Sequence, residues 1–255
     1  MLLDLRKVGV RFGGLRAVAD LDLALEPGRI FGLIGPNGAG KTTVFNLVTG
    51  IYKPTEGEIR FGGARIDGLR PPEVVAHGIA RTFQNIRLFR DMTVRQNVMV
   101  ACHRTKKTGL LGAVLRSGSM VAEDREMARR ADQLLEIFSL GKAADEPAGS
   151  LPYGHQRRVE IARALMLAPK LLLLDEPAAG MNSAEAEELR GQIRWLRDEF
   201  KLTVLLVEHN MKVVMGICER IQVMDHGETI GLGTPGEVQA DPKVIAAYLG
   251  EEAPS

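Results

Sequence analysis

Cysteines are scarce in this sequence, and the two that are present do not form a motif. Cys102 and Cys218 stand far apart in the 255-residue chain, whereas zinc and redox motifs bring cysteines within a few residues of each other. The lack of a disulfide framework is typical of proteins in a reducing cytosol. Because an unpaired cysteine packs like a small apolar residue, we expect both thiols to be buried.

Long apolar runs and an excess of one charge are also absent. No stretch is apolar for long enough to cross a bilayer, and Met1–Lys7 lacks the basic segment and apolar core of a signal peptide. The 33 lysines and arginines nearly balance the 32 aspartates and glutamates, so no overall field draws the protein to nucleic acid or to an anionic membrane. We expect no nucleic-acid partner, and a role at a membrane would need another protein as the anchor.

A glycine-rich loop between a strand pattern and a helix pattern is the most informative feature of the sequence. The apolar run Ile30–Ile34 precedes the loop and the helical run Val44–Val48 follows it. Between them stands Gly35-Pro36-Asn37-Gly38-Ala39-Gly40-Lys41-Thr42-Thr43. This order and the spacing G-x-x-x-x-G-K-[ST] predict a phosphate-binding loop. Glycines let backbone N–H groups converge on an anion, and the start of a helix adds further free N–H groups.

This loop predicts a site for a nucleoside triphosphate and Mg²⁺. Lys41 can reach the β- and γ-phosphates, and the Thr42 hydroxyl is placed to bind Mg²⁺. The loop residues predicted to bind the nucleotide, which the resemblance described below implies is ATP, are Gly35, Asn37, Gly38, Ala39, Gly40, Lys41, Thr42 and Thr43.

Two adjacent carboxylates follow a second apolar run. Asp175 and Glu176 come directly after Leu171–Leu174, which has the pattern of a strand covered on both faces of a parallel sheet. Ligands of such sheets bind at the carboxyl ends of the strands. Asp175 is therefore predicted to hold Mg²⁺, and Glu176 to orient and deprotonate an attacking water. The alternative is an ordinary pair of helix-capping residues, which the neighbouring Pro177 would also suit.

Strand and helix patterns divide the chain into an α/β core and an inserted helical lobe. Strand and helix signals alternate in 1–84 and 170–255, whereas 85–169 carries helical patterns without strands. We interpret the chain as one domain whose core is interrupted by the lobe. Within the lobe, 103–120 is either a solvated surface excursion or an interfacial amphipathic segment. The stretch 235–249 is expected to close the chain as a helix.

Four further segments complete a resemblance to a known family. They are Arg81–Phe89, Leu151-Pro152-Tyr153-Gly154-His155-Gln156-Arg157-Arg158, Ala179–Asn182 and Val207–Met215. With the phosphate loop and Asp175-Glu176-Pro177, they resemble the nucleotide-binding subunits of ABC transporters, and most closely the ATPases of bacterial branched-chain amino-acid importers. The resemblance covers essentially the whole chain. It implies an α/β fold: a P-loop NTPase core, mostly a parallel sheet flanked by helices, with an N-terminal antiparallel β subdomain and an inserted helical subdomain.

The resemblance also implies roles for single residues. Gln84 resembles the loop glutamine that senses Mg²⁺ and the γ-phosphate; the alternative is a polar residue that merely ends a strand. His209 resembles the switch histidine that contacts the γ-phosphate. Phe12 resembles the aromatic residue that stacks on adenine, although it could instead share one core face with Val8 and Val10. The implied catalytic residues are Lys41, Gln84, Glu176 and His209, and the implied Mg²⁺ ligands are Thr42, Gln84 and Asp175.

The segment that begins at Leu151 resembles the signature sequence, which binds ATP across a dimer interface. The start of a helix explains this role, since the N–H groups near Tyr153 and Gly154 can face the γ-phosphate of a partner's ATP. Leu151, Tyr153 and Gly154 are therefore expected to face that ATP. The sequence departs from the family at Pro152, where a serine is usual, and at Tyr153, where many members have glycine. Proline offers neither a hydroxyl nor an N–H.

The implied function is ATP hydrolysis that drives solute uptake. Two ATPase subunits, identical or different, would enclose two ATP molecules, with the loop Ala179–Asn182 lying across the dimer. Polytopic permeases would dock near Asn85–Met99, and a periplasmic solute-binding protein would take part indirectly. The chain would lie in the cytoplasm, on the inner face of the bacterial inner membrane. Alternatives are related ABC ATPases for urea, lipid or lipopolysaccharide, and a soluble ABC ATPase of DNA repair or translation, which a single phosphate loop and balanced charge disfavour.

Overall fold

The structure, a computed structural model, describes residues 1–104 and 118–249. The chain folds as two units, one made of Met1–Arg81 and Lys170–Ser255 and the other of Thr82–Pro169. The first stretch of the first unit ends at Arg81, the last residue of a strand, whereas the sequence pattern predicted that this part of the core ends at residue 84. Most of the segment 103–120, whose character the sequence left open, lies outside the described residues.

The first unit contains an antiparallel sheet built from alternating strands. In β1 and β2 every second side chain is apolar over much of the strand, so one face is buried and the other solvated. The strand order is β2-β1-β4-β5, and all pairings are antiparallel. The strands are β1 (Leu3–Phe12), β2 (Leu15–Leu25), β4 (Glu56–Phe61) and β5 (Ala64–Arg65).

A six-stranded, mostly parallel sheet forms the rest of the β structure of this unit. Its strands are β3 (Ile30–Ile34), β6 (Ile79–Arg81), β7 (Leu171–Asp175), β8 (Thr203–Val207), β9 (Arg220–Asp225) and β10 (Glu228–Gly233). The order is β10-β9-β3-β8-β7-β6, with only the β9–β10 pair antiparallel. Every residue of β3, β7 and β8 is buried, as the continuous apolar runs predict for a sheet covered on both faces.

Nine α-helices are described, six of them in the first unit. They are α1 (Lys41–Val48), α2 (Pro71–Ala76), α3 (Val94–Met99), α4 (Gly118–Ile137), α5 (Tyr153–Leu165), α6 (Ser183–Phe200), α7 (Met211–Ile217), α8 (Pro235–Ala240) and α9 (Pro242–Leu249). Side chains of α1 join both sheets in one hydrophobic core. None of these helices is both long and apolar enough to span a bilayer, among the residues described.

The chain ends in two helices where the sequence pattern suggested one. Helix α8 is capped by Thr234, whose side chain accepts from Glu237 N, and it ends at Ala240. Helix α9 starts at Pro242. Proline has no N–H to donate to the preceding turn and disfavours a helical conformation at the residue before it. The extended Asp241 therefore separates the two helices.

The second unit is helical, as its sequence pattern indicates. Helix α3 packs on both α4 and α5. Helix α3 is too short to show a periodic stripe, but its capping box is complete: Thr93 accepts from Gln96 N and Gln96 caps Thr93 N in return. In α5, Val159, Ile161 and Ala162 are fully buried. This helix therefore supplies much of the unit's core.

Candidate functional site

The carboxyl ends of three neighbouring strands bring the predicted core residues to one edge of the sheet. Strand β8 lies between β3 and β7, with Val207 paired to Leu33 on one side and to Asp175 on the other. The phosphate loop follows β3, Glu176 follows β7, and His209 stands two residues after β8. These loops therefore meet at the edge where parallel α/β sheets bind ligands.

The phosphate loop turns tightly because glycine occupies positions that no other residue fits. Gly35 has φ +149°, and a Cβ on it would lie 2.0 Å from Met224 O. Gly40, the cap of α1, has φ +99°, and a Cβ there would lie 2.7 Å from Ala17 O. Gly38 has φ +84° with open space around it. The loop thus turns at these glycines directly into the start of a helix, where free backbone N–H groups suit an anion.

Lys41 lies inside this loop. Its Nζ donates to Gly35 O and to Pro36 O, each at 2.7 Å, and only 6% of the residue is exposed. Burial lowers the pKa of Lys41, while the negative charges of Glu176 and Asp175 oppose that shift. The ammonium group is thus held at the loop, within reach of the electrostatic effect of both carboxylates.

Asp175 is held by an arginine that the sequence analysis did not single out. Arg81 donates from Nη2 to Asp175 Oδ2 at 2.8 Å and from Nη1 to Asn46 Oδ1 at 2.7 Å. Its guanidinium also lies 5.3 Å from the centre of the Phe45 ring. Arg81 therefore links the acidic strand β7 to helix α1. The available signal was a charged residue ending the apolar strand β6.

Glu176 and His209 form the closest pair of predicted catalytic side chains. His209 Nε2 lies 2.9 Å from Glu176 Oε1. The backbone of Glu176 has φ +46°, an uncommon conformation for a residue with a side chain. Its N–H donates to Val207 O at 2.8 Å. Such local strain is found at functional sites where the surrounding structure enforces it.

Phe12 is not a core residue, so the alternative of a shared core face with Val8 and Val10 is wrong. Phe12 is 45% exposed, whereas Val8 and Val10 are buried. Its ring packs edge-on against Tyr52, with centroids 4.9 Å apart. The β-bulges in β1 between Val8 and Phe12 break the alternation on which that alternative depended.

Tyr248, on the closing helix α9, is a second residue that sequence reasoning missed. Burial raises the pKa of Tyr248, and a hydrogen bond with the backbone of Gly35 opposes the shift. Helix α9 therefore touches the first residue of the phosphate loop. The sequence offers no local signal for this contact, because the two residues are distant along the chain.

Gln84 and the residues resembling the signature sequence lie in the second unit. Strand β6 ends at Arg81, so Gln84 does not end a strand, and that alternative is wrong. Buried Arg157 of α5 donates to Phe83 O at 2.5 Å and to Gln84 O at 2.8 Å. The glutamine loop is thus bound to the helix that begins at Tyr153.

The first turn of α5 has no side-chain cap. Pro152 is its N-cap and provides no side-chain cap. Tyr153 is 45% exposed, while Leu151 is buried, with its carbonyl accepting from Gln156 Nε2 at 2.8 Å. The N–H groups of the first turn, including that of Gly154, have no intrahelical acceptor by position.

The donor set at the sheet edge fits Mg²⁺ bound together with phosphates. No group of three or more His, Cys, Asp or Glu that could cage a metal lies among the described residues. Mg²⁺ in phosphate-transfer sites instead uses one or two protein oxygens plus substrate oxygens. Thr42, exposed at the start of α1, and Asp175, at the end of β7, supply such oxygens.

The prediction that both cysteines are buried is confirmed. Cys102 and Cys218 are free thiols with 7% and 6% exposure. Burial raises the pKa of both, that of Cys218 to about 12. Neither thiol is a nucleophile at neutral pH, because the thiolate is the reactive form.

Comparisons with known proteins agree on one family. Residues 18–179 match the family model "ABC transporter", and residues 228–254 match "Branched-chain amino acid ATP-binding cassette transporter". The chain is 48% identical over 250 residues to the high-affinity branched-chain amino acid transport ATP-binding protein LivG of Escherichia coli (strain K12), covering 98% of each chain. It is 46% identical, with the same coverage, to BraF of Pseudomonas aeruginosa, which carries the same description.

A solved structure gives the same result for the fold. The crystal structure of the ADP conformation of an ATP-binding cassette of an ABC transporter superposes with a TM-score of 0.85 at 31% identity. The alignment covers 98% of this chain and 99% of that one. The predicted fold class, an α/β P-loop ATPase core with an antiparallel sheet and added helices, is confirmed.

Proposed function

The chain belongs to the ABC transporter family of ATP-hydrolysing proteins, and we propose that it is the ATPase subunit of a branched-chain amino-acid importer. One observation carries the hydrolytic part: the phosphate loop, Asp175 and the Glu176–His209 pair meet at one edge of one sheet. The solute class is supported by 48% identity along nearly the whole chain to a protein of that description.

ATP would bind through the phosphate loop. The residues Gly35, Asn37, Gly38, Ala39, Gly40, Lys41, Thr42 and Thr43 would surround the phosphates with backbone N–H groups and one ammonium group. Lys41 Nζ would exchange its two loop carbonyl acceptors for phosphate oxygens. Phe12 is exposed and free of the core, which supports stacking on adenine.

Mg²⁺ would be held by Thr42 and Asp175, with Gln84 as a further ligand. When bound, the ion neutralises the charge that develops on the phosphate oxygens. Arg81 fixes the Asp175 side chain by a 2.8 Å hydrogen bond, so the carboxylate is oriented before any ligand arrives. This pre-organisation lowers the cost of binding.

Glu176 would take the proton of the attacking water. Its carboxylate stands at the carboxyl end of β7 and is only partly buried, with 18% of the side chain exposed. The water oxygen attacks the γ-phosphorus, its proton passes to Glu176, and the bond to the β-phosphate oxygen breaks, which releases ADP and phosphate. His209 would donate a hydrogen bond to the γ-phosphate. Because its Nε2 already contacts Glu176 Oε1 at 2.9 Å, the same nitrogen would lie between the carboxylate and the phosphate.

A second subunit would complete each site. The first turn of α5, which has no side-chain cap, supports a role for Leu151, Tyr153 and Gly154 toward the partner's ATP. Because Pro152 contributes neither hydroxyl nor N–H, that contact would depend on the backbone of Tyr153 and Gly154. The loop Ala179–Asn182 would couple the two sites. The partner is either a second copy or a sister ATPase.

When two ATPase subunits close around ATP, the second unit would transmit that movement to the membrane permeases. The segment Asn85–Met99 includes α3, and 52% of the surface of Phe89 within it is exposed to solvent. An exposed aromatic side chain of this kind supports a docking surface there. The chain would thus act in the cytoplasm, peripheral to the inner membrane, together with polytopic permeases and, indirectly, a periplasmic solute-binding protein.

The chemical part is tested by Glu176→Gln, which keeps the shape of the side chain and removes the base. We expect ATP turnover to fall by about 10²–10⁴ while ATP binding persists. The control is Glu187→Gln, the same change on the exposed face of α6, where the carboxylate forms a surface ion pair with Arg190. Undiminished turnover in Glu176→Gln would exclude this residue as the base.

The transport part is tested by co-purification and uptake. Polytopic permeases should co-purify from detergent-solubilised membranes, and reconstituted vesicles should take up leucine, isoleucine or valine in response to ATP. Uptake of urea or a lipid instead would reassign the solute. Recovery of RNA or ribosomes in place of permeases would contradict a transport role.

A further inference from the structure

Glu208, between the end of β8 and His209, is a buried carboxylate to which no role has been assigned above. Only 3% of it is exposed. Its Oε1 accepts from Ala178 N at 2.7 Å, and its Oε2 accepts from His209 N at 2.8 Å and Asn210 N at 2.9 Å. Three hydrogen bonds from backbone N–H groups are the compensation that a buried carboxylate requires.

These bonds join the two loops that carry the catalytic pair. Ala178 stands two residues after Glu176 on the loop that follows β7, and His209 stands two residues after the end of β8, on the loop that Glu208 begins. Glu208 thus hydrogen-bonds to the backbone of both loops. These bonds lie within a few residues of the 2.9 Å contact between Glu176 Oε1 and His209 Nε2. The backbone of Glu176 itself donates from its N–H to Val207 O at 2.8 Å and accepts at its carbonyl from Ala179 N at 3.1 Å.

Glu208 cannot replace Glu176 as the base. Both of its oxygens face backbone N–H groups, and burial keeps it away from water. Its contribution to chemistry must therefore pass through the residues that it holds. Asn210, the third donor, also caps α7, since its side chain accepts from Lys212 N and Val213 N. Glu208 is therefore connected through Asn210 to the start of the next helix.

We propose that Glu208 is a positioning residue that fixes the Glu176–His209 pair for hydrolysis. The proposal rests on the proposed function of that pair. A carboxylate is required because both oxygens act as acceptors. A glutamine has the same shape, but its NH₂ group would face either Ala178 N–H or the N–H groups of His209 and Asn210. One of the two loops would then lose its anchor and shift.

The test is Glu208→Gln in the full chain, with nucleotide affinity and turnover measured separately. Displacement of a catalytic group by about 1 Å costs about 10²-fold in rate. We expect kcat for ATP to fall by about that factor, and the Kd for ADP to stay within about twofold because the phosphate loop is untouched. A kcat within threefold of wild type would overturn the proposal.

Thr203→Val is the matched control. Thr203 stands at the other end of the same strand, and its buried Oγ1 accepts from Gly28 N at 2.9 Å. The substitution is similar in shape and removes one acceptor for a backbone N–H, so it should lower the melting temperature as Glu208→Gln does. If Thr203→Val lowers kcat equally, loss of stability rather than positioning explains the effect, and the proposal fails.

Two further measurements separate the possible outcomes. When Glu176→Gln is already present, adding Glu208→Gln should lower ATP turnover by less than a further threefold, because Glu208 acts by positioning the base that is already missing. A further fall of about 10²-fold, as expected in the wild-type background, would contradict the proposal. In the wild type, the amide protons of Ala178, His209 and Asn210 should exchange slowly, and rapid exchange would exclude the three bonds even if Glu208→Gln does not fold. A wild type without ATPase activity would instead refute the proposed function.

Discussion

Replacing Arg157 by methionine should destabilise the second unit and loosen the backbone that carries Gln84. The guanidinium is fully buried and lies 2.7 Å from Glu160 Oε2, which is also buried. It donates in addition to Phe83 O and Gln84 O. Removing it leaves the Glu160 carboxylate buried, with the negative charge no longer balanced by this partner.

The magnitude follows from which member of the pair is lost. Breaking a buried ion pair by removing one partner costs about 3–5 kcal/mol, whereas replacing both partners by apolar residues is often neutral. In the double variant Arg157→Met/Glu160→Leu, the carbonyls of Phe83 and Gln84 still lose the Arg157 donor, at about 1–3 kcal/mol. Phe83 N and Arg163 also lose Glu160, to which they stand at 3.4 and 3.7 Å, but no buried carboxylate is left behind. The double variant should therefore be more stable than Arg157→Met alone.

Urea unfolding followed by two probes measures this effect. Helical circular dichroism reports both units, while the fluorescence of Trp195, the only tryptophan, reports the first unit. Arg157→Met should shift part of the dichroism transition to lower urea and leave the fluorescence midpoint nearly unchanged. The Kd for ADP should stay within about twofold, since the phosphate loop belongs to the first unit.

The control is Arg129→Met on α4 of the same unit. Arg129 pairs with Glu126 three residues earlier, but 73% and 66% of these side chains are exposed, so its loss should cost less than about 0.5–1 kcal/mol. An equal loss of unfolding free energy in Arg129→Met and Arg157→Met would refute the reasoning. So would a double variant whose loss equals the sum of the losses in Arg157→Met and Glu160→Leu measured singly.

Three other predictions concern the first unit. Gly35→Ala should cost at least about 2 kcal/mol of folding stability, because its Cβ would lie 2.0 Å from Met224 O; Gly14→Ala, in open space, is the control in the same urea titration. Phe12→Ala should weaken ATP binding about fivefold, equivalent to about 1 kcal/mol, in a fluorescent-nucleotide titration. Cys218 should resist iodoacetamide at pH 9 in the native protein and react after unfolding, as mass spectrometry would show.

The pH dependence of the cysteine prediction has a definite sign. Burial raises the pKa of Cys218 from 9.0 to about 12, so the folded state favours the neutral thiol. The resulting stabilisation is complete below pH 9 and is lost as the pH rises toward 12. Native alkylation at the rate of a free cysteine, unchanged ATP affinity in Phe12→Ala, or a stable Gly35→Ala would each contradict the corresponding prediction.

Several site residues could be predicted because their chemistry is local. The phosphate loop is one continuous segment, and its glycines, Lys41 and the start of α1 act on each other within a few residues. The apolar run Leu171–Leu174 likewise places Asp175 at a strand end without knowledge of the neighbours. Such features depend on backbone conformation and short-range hydrogen bonding, which consecutive residues encode.

Other features could not be read from local patterns. The Arg81–Asp175 pair joins residues 94 positions apart, and Tyr248 reaches Gly35 from the far end of the chain. Glu208 was part of a recognised segment, yet nothing in its neighbours shows that it accepts from Ala178 N. Each contact depends on which strands are adjacent, and sequence spacing does not specify strand order.

The sequence by itself determined the kinds of chemistry available: a phosphate cradle, an acidic strand end, a histidine after a strand and a helix start without a side-chain cap. The sequence also places glycines at 35 and 40, which permits a tight turn there, and the structure shows both in backbone conformations that L side chains rarely adopt. Only the tertiary structure decided that β8 lies between β3 and β7, and so which side chains meet. The reason is physical: strand order is set by the burial of many apolar faces at once, and no single segment carries that information.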